Sequence, residues 1–181
     1  MEWTILKFLS NNNIKETVLV VNKDQSKYIK KFKFKKNIIY TKGGKTRHDS
    51  VVNGLKALEK LSPDYVLIHD GARPLIDECT INRVIRKLES KNAVVPIIPI
   101  NDSIKSVINN NINKTVNKDK IFAVQTPQGF YFKDIYNIYM QNEIKNNKDD
   151  SEVLEKFGYK ISTVKGNPEN IKITHEEDMQ I

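Results

Sequence analysis

Two short segments place an acid, bases and glycines where a predicted strand or turn ends. Residues 43–50 contain a glycine pair that runs into a predicted helix opening with polar and charged side chains. Tyr65–Ile68 is an apolar predicted strand, and Asp70 and Arg73 follow it in a short loop. An acid and a base at a strand end, beside a helix N-terminus, are typical of sites for phosphorylated ligands in open α/β sheets. The two segments therefore predict a site for a phosphorylated ligand.

Each of the polar side chains in these segments also has a purely structural interpretation. Asp70 is able to cap the turn that follows the strand, and Ser50 is a good helix N-cap on its own. Arg47 suits an ion pair with a surface acid better than a contact with substrate. His69 ends the buried strand and is interpreted as packed and hydrogen-bonded rather than catalytic. The sequence leaves the alternatives for Asp70 and Ser50 open.

The elements that must position these residues follow from hydrophobic periodicity, which alternates between short apolar strands and amphipathic helices. The order predicts an α/β fold, a Rossmann-like mixed sheet flanked by helices. The prolines of the strand at 93–100 place it at an edge of the sheet or leaving it. The predicted helices cover residues 2–10, 50–61, a segment from Asp77 or Thr80 to Leu88, 132–142 and 151–158. The predicted strands cover residues 17–21, 37–41, 65–68, 93–100, 122–124, 159–164 and 170–174.

Residues 101–121 differ from the rest of the chain, because polar, asparagine-rich sequence interrupts two short β-like pieces at 103–108 and 113–116. This pattern predicts a β-hairpin arm that projects from the core. A two-stranded arm buries little against its own domain, so we expect it to pair with a second copy in a homodimer. The chain is otherwise predicted to be a single domain over residues 1–181.

Composition narrows the class of protein. The net charge of +8 comes largely from lysines that are scattered and accompanied by asparagines, which indicates a compositional bias more than a binding face. The densest basic cluster, residues 30–36, alternates lysine with phenylalanine and would suit nucleic acid, but a solvated edge is the favoured interpretation. One cysteine, Cys79, excludes an internal disulfide, and no apolar run is long enough to span a bilayer. We therefore expect a soluble, cytoplasmic protein without a membrane partner.

Taken together, the motifs resemble the bacterial and plastid 2-C-methyl-D-erythritol 4-phosphate cytidylyltransferases of isoprenoid precursor synthesis. They occur in family order and cover nearly the whole chain, so the resemblance is strong. The motifs are Gly43-Gly44, Arg47, Asp49-Ser50-Val51, Gly54-Leu55, His69-Asp70-Gly71-Ala72-Arg73-Pro74, Thr115-Val116, Gln125-Thr126-Pro127-Gln128, Gly166, Asn170-Ile171-Lys172-Ile173-Thr174 and Glu177-Asp178.

The resemblance implies a reaction that joins CTP to a sugar phosphate and releases pyrophosphate. The substrate phosphate oxygen would attack the α-phosphorus of CTP in line, with Mg²⁺ on the triphosphate and no covalent intermediate. By position match, Gly44 and Ser50 would read cytosine. Asp70 would face the ribose and the metal-bound phosphates, and Arg73 would hold that loop or a phosphate.

The resemblance also assigns residues to the sugar phosphate. Lys118 and Lys172 would position its phosphate, and Thr126 falls on a position that helps to place it. Ser103 replaces a threonine expected on the substrate side. Lys118 stands on the arm where the family usually has an arginine that grips the substrate, often across a dimer. A lysine there keeps the charge but loses the bidentate fork, so we expect weaker positioning.

Three alternatives to this function stay open. The related ribitol-5-phosphate cytidylyltransferases share much of the pattern and are the closest competitor. A catalytically dead binding module that uses residues 30–36 on nucleic acid is a second, and a dimerisation partner acting only through the arm is a third.

The chain also departs from the family at its start. The family begins with a strand and a glycine-rich loop that carries an arginine and a lysine, whereas no glycine precedes Gly43 here. The expectation is either an incomplete copy of an active enzyme or a fragment without turnover. The strand would lie centrally in the sheet, so its two neighbours must close up or leave backbone unpaired.

Overall fold

Helices and short strands alternate along the chain, as the periodicity predicts. The computed structural model describes residues 2–22, 24, 34, 38–141, 144 and 147–180. The helices are α1 (Glu2–Leu9), α2 (Arg47–Leu58), α3 (Glu78–Leu88), α4 (Phe132–Gln141) and α5 (Asp150–Lys156), with 3₁₀ turns at Glu59–Leu61 and Glu176–Gln180. The strands are β1 (Val18–Val21), β2 (Ile39–Lys42), β3 (Tyr65–Ile68), β4 (Ala93–Pro99), β5 (Lys105–Ile108), β6 (Asn111–Thr115), β7 (Phe122–Val124), β8 (Gln128–Tyr131) and β9 (Ser162–Lys165). None of these helices is long and apolar enough to cross a membrane.

The main sheet is mixed. Its strands run in the order β3-β8-β4-β7, all antiparallel to their neighbours on this path, and β9 joins β4 in parallel. Strands β1 and β2 form a separate parallel pair. Within the described residues no ladder joins this pair to the main sheet, so β1 and β3 have not closed up against each other.

The two faces of the main sheet are covered by different helices. Side chains alternate across a strand, so Ala93 faces one cluster with α4 and α5, and Val94 faces the other with α3. Phe130, Ile135 and Leu154 are fully buried in the larger cluster. This arrangement confirms the prediction of a mixed sheet flanked by helices.

The position of β4 corrects one prediction from sequence. Its prolines indicated an edge strand, yet β4 is central, with β9 on one side and β7 and β8 on the other. The sheet tolerates Pro96 because β4 changes partner beside it, from β8 at Val94 to β7 at Ile97. Its carbonyl accepts the Gln125 N–H at 2.8 Å, and its missing donor falls in the gap between the two partners.

The arm is a hairpin of β5 and β6, which pair with each other alone among the described strands. Its turn residues Asn109 and Asn110 both have positive φ angles, of 47° and 62°, as a two-residue type I′ hairpin turn requires. Three apolar side chains stand largely in solvent, with Val107 58%, Ile108 57% and Ile112 67% exposed. The predicted arm is therefore confirmed as a hairpin with little burial of its own.

Residues 170–174 are not a strand, which corrects a second prediction. The backbone there makes scattered loop contacts instead of a ladder, such as Ile173 N to the Ala72 carbonyl at 2.9 Å. Helix α3 does start as predicted, since the Asp77 carboxylate accepts the Thr80 N–H at 2.7 Å. The basic cluster at 30–36 lies outside the described residues except for Phe34.

Candidate nucleotide-binding site

The centre of the site is the carboxylate of Asp70, in the loop that follows β3. Lys172 Nζ lies 3.1 Å from its Oδ2, and Arg73 Nε lies 3.7 Å from the same oxygen. Arg47 Nε lies 3.8 Å from Oδ1. Three cations from separate parts of the chain therefore surround one mostly buried acid.

The pKa of Asp70 reflects a competition between burial and these charges. Burial alone raises the pKa, because the charged form loses hydration. The hydrogen bond and charge of Lys172 oppose burial most strongly, followed by the charges of Arg47 and Arg73. The cations prevail, so the pKa of the Asp70 carboxyl lies below its ordinary value and the group is ionised at neutral pH.

Arg47 is held in place by a second acid, Asp150, at the start of α5. Its Nη1 donates to Asp150 Oδ1 at 3.0 Å and its Nη2 donates to Oδ2 at 2.5 Å, so the pair is bidentate. Tyr139 also donates to Asp150 Oδ1, at 2.6 Å. The predicted partner was a surface acid, but the Asp150 side chain is completely buried. Burial lowers the pKa of Arg47, and Asp150 more than offsets that effect, so the guanidinium pKa is raised overall.

The glycine turn is fixed against the first turn of α2. A side chain at Gly44 would lie 2.0 Å from Asp49 Cβ, so only glycine fits this approach. Thr46 is the N-cap of α2 and forms a capping box with Asp49, so Ser50 does not cap the helix. The Ser50 hydroxyl accepts the Gly44 N–H at 3.0 Å and donates to the Thr46 carbonyl at 3.0 Å. Gly44 and Ser50 are therefore joined directly.

Thr126 and His69 hold the backbone of the Asp70 loop through hydrogen bonds. The Thr126 hydroxyl oxygen lies 2.9 Å from His69 Nδ1 and accepts the Asp70 N–H at 3.2 Å. His69 Nε2 lies 3.2 Å from the Arg73 carbonyl oxygen, and the ring packs on Phe8 with centroids 4.7 Å apart. Burial, above all, lowers the pKa of His69 to about 4. The prediction that His69 is packed and hydrogen-bonded is confirmed.

The loop that carries Lys172 is tied to the same region by Asn170, which has no solvent exposure. Its side-chain amide donates to the Thr126 carbonyl at 2.8 Å. Its own carbonyl accepts Arg73 Nη1 at 2.7 Å and Gln125 Nε2 at 3.2 Å. Asn170 therefore fixes the distance between Lys172 and the Asp70 loop. Sequence reasoning gave it no role, and its only signal was its place in the motif beside Lys172.

Two of the expected site residues lie elsewhere. Ser103 is exposed just before β5, at the base of the arm. Lys118 donates to the carbonyl of Asn101 and lies 3.4 Å from that of Asp102. Within the described part of the chain, neither side chain contacts Asp70 or the cations around it.

The described residues contain no group of three or more His, Cys, Asp or Glu side chains that could hold a metal ion by themselves. Asp70 is a single carboxylate, which suits Mg²⁺ only where ligand phosphates complete the coordination. Across the site, three cations (Arg47, Arg73 and Lys172) face two carboxylates (Asp70 and Asp150), which leaves one net positive charge. The arrangement can bind phosphates and hold one carboxylate ionised beside them.

Known proteins share this sequence and fold. The family described as IspD, 2-C-methyl-D-erythritol 4-phosphate cytidylyltransferase, matches residues 1–181. A 2-C-methyl-D-erythritol 4-phosphate cytidylyltransferase of Clostridioides difficile (strain 630) is 42% identical over 98% of this chain and 77% of the relative. The bifunctional enzyme IspD/IspF of Bartonella tribocorum is 34% identical over 97% of this chain, which spans only 45% of that longer protein.

A solved structure shows the same architecture. The 4-diphosphocytidyl-2C-methyl-D-erythritol synthase of Anaerococcus prevotii aligns with a TM-score of 0.89 and 35% identity, over 99% of this chain and 82% of that one. The family match covers the Gly44 turn, the Asp70 loop and the Lys172 loop together. The chain belongs to the 2-C-methyl-D-erythritol 4-phosphate cytidylyltransferase family.

Proposed function

We propose that this chain transfers CMP from CTP to 2-C-methyl-D-erythritol 4-phosphate and releases pyrophosphate. The observation that carries the proposal is the ionised Asp70 carboxylate, ringed by Lys172, Arg73 and Arg47 at the end of β3. A cationic cluster around one acid suits two phosphorylated substrates and a metal better than it suits a neutral ligand. The site would lie in one nucleotidyltransferase-like domain of the cytoplasm, from which the arm at about 101–121 projects.

The base of CTP is assigned to the Gly44 turn. The Ser50 proton is already given to the Thr46 carbonyl, so toward a ligand this hydroxyl can only accept. The exocyclic amine of cytosine is a donor and matches it, whereas the carbonyl of uracil at the same position does not. The absence of a side chain at Gly44 lets backbone reach the base. This assignment supports CTP over UTP.

The phosphates are assigned to the Asp70 cluster. Lys172 and Arg73 would neutralise charge where the sugar-phosphate oxygen approaches the α-phosphorus, and Arg47 would hold Asp70 from the other side. Mg²⁺ bound by the triphosphate would stabilise the leaving pyrophosphate, and Asp70 would offer it a carboxylate ligand. The residues themselves do no covalent chemistry, so their contribution is position and charge.

Two of the residues expected in the site, Ser103 and Lys118, lie on the arm and would reach a site only if two copies of the chain pair. Val107 and Ile112 are cross-strand partners and form an exposed apolar patch on one face of the arm that a second copy would cover. Ser103 and Lys118 lie on this arm and not beside Asp70 of their own chain. In the homodimer that we propose, they would reach the sugar phosphate in the site of the other copy.

The test is turnover with defined substrates. Purified protein is mixed with CTP, Mg²⁺ and either 2-C-methyl-D-erythritol 4-phosphate or ribitol 5-phosphate, and pyrophosphate release is followed. The proposal expects release with the methylerythritol phosphate at a kcat/KM at least about tenfold above that with ribitol phosphate. A preference for ribitol 5-phosphate would show that the proposed sugar phosphate is wrong. If the protein bound no nucleotide at all, it would not be a nucleotidyltransferase.

A further inference from the structure

His69 and Thr126 form a hydrogen-bonded pair whose protons can be placed from their partners alone. Both ring nitrogens of His69 are engaged, Nε2 with the Arg73 carbonyl at 3.2 Å and Nδ1 with the Thr126 hydroxyl at 2.9 Å. A carbonyl oxygen can only accept, so Nε2 must carry the proton. In the neutral ring Nδ1 then holds a lone pair and can only accept.

The ring is neutral under ordinary conditions. The ring is packed against Phe8, with centroids 4.7 Å apart, and its two nitrogens face a carbonyl and a hydroxyl. Neither partner is a carboxylate that would stabilise a charged imidazolium, and a buried ring without such a partner is disfavoured in its charged form. The Nε2–H tautomer is therefore the form present at neutral pH.

The proton of the Thr126 hydroxyl is therefore already used in a hydrogen bond. It points to His69 Nδ1, while the same oxygen accepts the backbone N–H of Asp70 at 3.2 Å. Thr126 is only 5% exposed, so little of this oxygen is open to a ligand. A hydroxyl in this state has no proton left to donate to a phosphate oxygen.

We propose that His69 is a positioning residue that fixes the Thr126 hydroxyl as an acceptor for the Asp70 backbone, so that Thr126 holds the Asp70 loop and donates nothing to the sugar phosphate. The part that concerns the phosphate rests on the proposed function. The part that concerns the loop rests on the hydrogen bonds alone. For Thr126, this positioning role replaces the contact with the sugar phosphate that the family resemblance implies.

The first test reads the protons directly. Long-range ¹H–¹⁵N spectra of the full chain at neutral pH, without nucleotide, give the tautomer of each of the three histidines. His69→Gln identifies the His69 signals by their loss. The proposal expects protonated Nε2, unprotonated Nδ1 and a slowly exchanging Thr126 hydroxyl proton. Protonation of Nδ1 would overturn it, because Thr126 would then be free to donate.

The second test separates the two hydrogen bonds of the ring. His69→Asn keeps an acceptor near Nδ1 and loses the donor, whereas His69→Gln keeps a donor near Nε2 and loses the acceptor. We expect CTP affinity to fall about fivefold in His69→Gln and about twofold or less in His69→Asn, as the loss of one neutral hydrogen bond predicts. Thr126→Val should match His69→Gln, and the double variant should be no worse than either one. Additive losses, or a Thr126→Val defect confined to KM for the sugar phosphate, would contradict the proposal.

The two proposals fail in different ways. If wild-type protein binds no CTP, the proposed function fails and the tautomer measurement still decides the role of His69. If CTP binds but Nδ1 carries the proton, the function stands and the positioning role is rejected.

Discussion

Lys172 Nζ and Asp70 Oδ2 lie 3.1 Å apart, which joins a loop near the C-terminal end of the chain to the end of β3. This contact lowers the pKa of Asp70 more than any other neighbour does. It also places the most exposed cation of the cluster, with 44% of its side chain in solvent, at the mouth of the site. The pair therefore links the ionisation of the central acid to the group best placed to meet a second phosphorylated substrate.

Replacing Lys172 should affect substrate binding and pH dependence together. We expect Lys172→Gln to raise KM for the sugar phosphate about tenfold, as the loss of one charge-assisted hydrogen bond predicts. The pKa of Asp70 should rise, so the acid limb of the pH–rate profile should move to higher pH. Steady-state kinetics across pH measure both effects. Lys160→Gln, at an exposed site, is the control, and an unmoved acid limb in Lys172→Gln would contradict the role of this pair.

Buried His69 should make the fold sensitive to mild acid. Its pKa falls from 6.5 to about 4 on folding, so between these values the unfolded chain binds a proton that the native chain does not. Stability should therefore decrease as pH falls through this window, by about 3 kcal/mol in full. Urea unfolding at about pH 7 and about pH 4.5 measures it. His69→Gln should show a smaller loss, whereas exposed His175→Gln should behave like the wild type.

Removing the cation from the buried Arg47–Asp150 pair should destabilise the fold. Arg47→Met removes two of the hydrogen bonds to the fully buried Asp150 carboxylate and keeps the one from Tyr139, at a cost of about 3 kcal/mol. The double variant Arg47→Met with Asp150→Asn should recover part of this loss, because the buried charge is gone. Urea unfolding compares both with Arg86→Met, which removes an exposed arginine. Equal free energies of unfolding for Arg47→Met and Arg86→Met would show that the Arg47–Asp150 pair does not stabilise the fold.

A charge on the apolar face of the arm should prevent pairing of two copies. Ile112 is 67% exposed in the single chain, and Ile112→Lys would bury an unpaired ammonium in the proposed dimer interface. We expect sedimentation to give a dimer for the wild type and a monomer for this variant. Asn113→Lys adds the same charge at the next exposed position of β6 and should remain dimeric. A monomeric wild type would reject the role of the arm.

Local sequence signals predicted much of this molecule, because they depend on short stretches of chain. The apolar run of β3 and the acid and base that follow it placed Asp70 and Arg73 correctly at a strand end. Asparagines in the arm indicated the hairpin, and two of them occupy its left-handed turn. These features need no knowledge of distant partners.

The errors arose where distant partners decide the outcome. Pro96 suggested an edge, yet a change of partner strand beside it makes a central position possible. Ile171 and Ile173 alternate as in a strand, yet Arg73, Gln125 and Thr126 hold the preceding Asn170 in a loop. The acid that pairs with Arg47 lies about a hundred residues away, and no local pattern connects the two. Thr46 rather than Ser50 caps α2, although both residue types favour that position.

The most direct test of the central claim, that the Asp70 cluster binds CTP with its metal, is CTP titration with and without Mg²⁺. In the wild type we expect Mg²⁺ to tighten CTP binding about tenfold, because Asp70 offers the metal a carboxylate beside the phosphates. In Asp70→Ala the effect of Mg²⁺ should disappear, while metal-free binding stays equal or tightens, since Lys172 and Arg73 lose their counter-ion. Asp64→Asn, at an exposed acid, should keep the wild-type response. An Mg²⁺ effect that survives in Asp70→Ala would contradict the account.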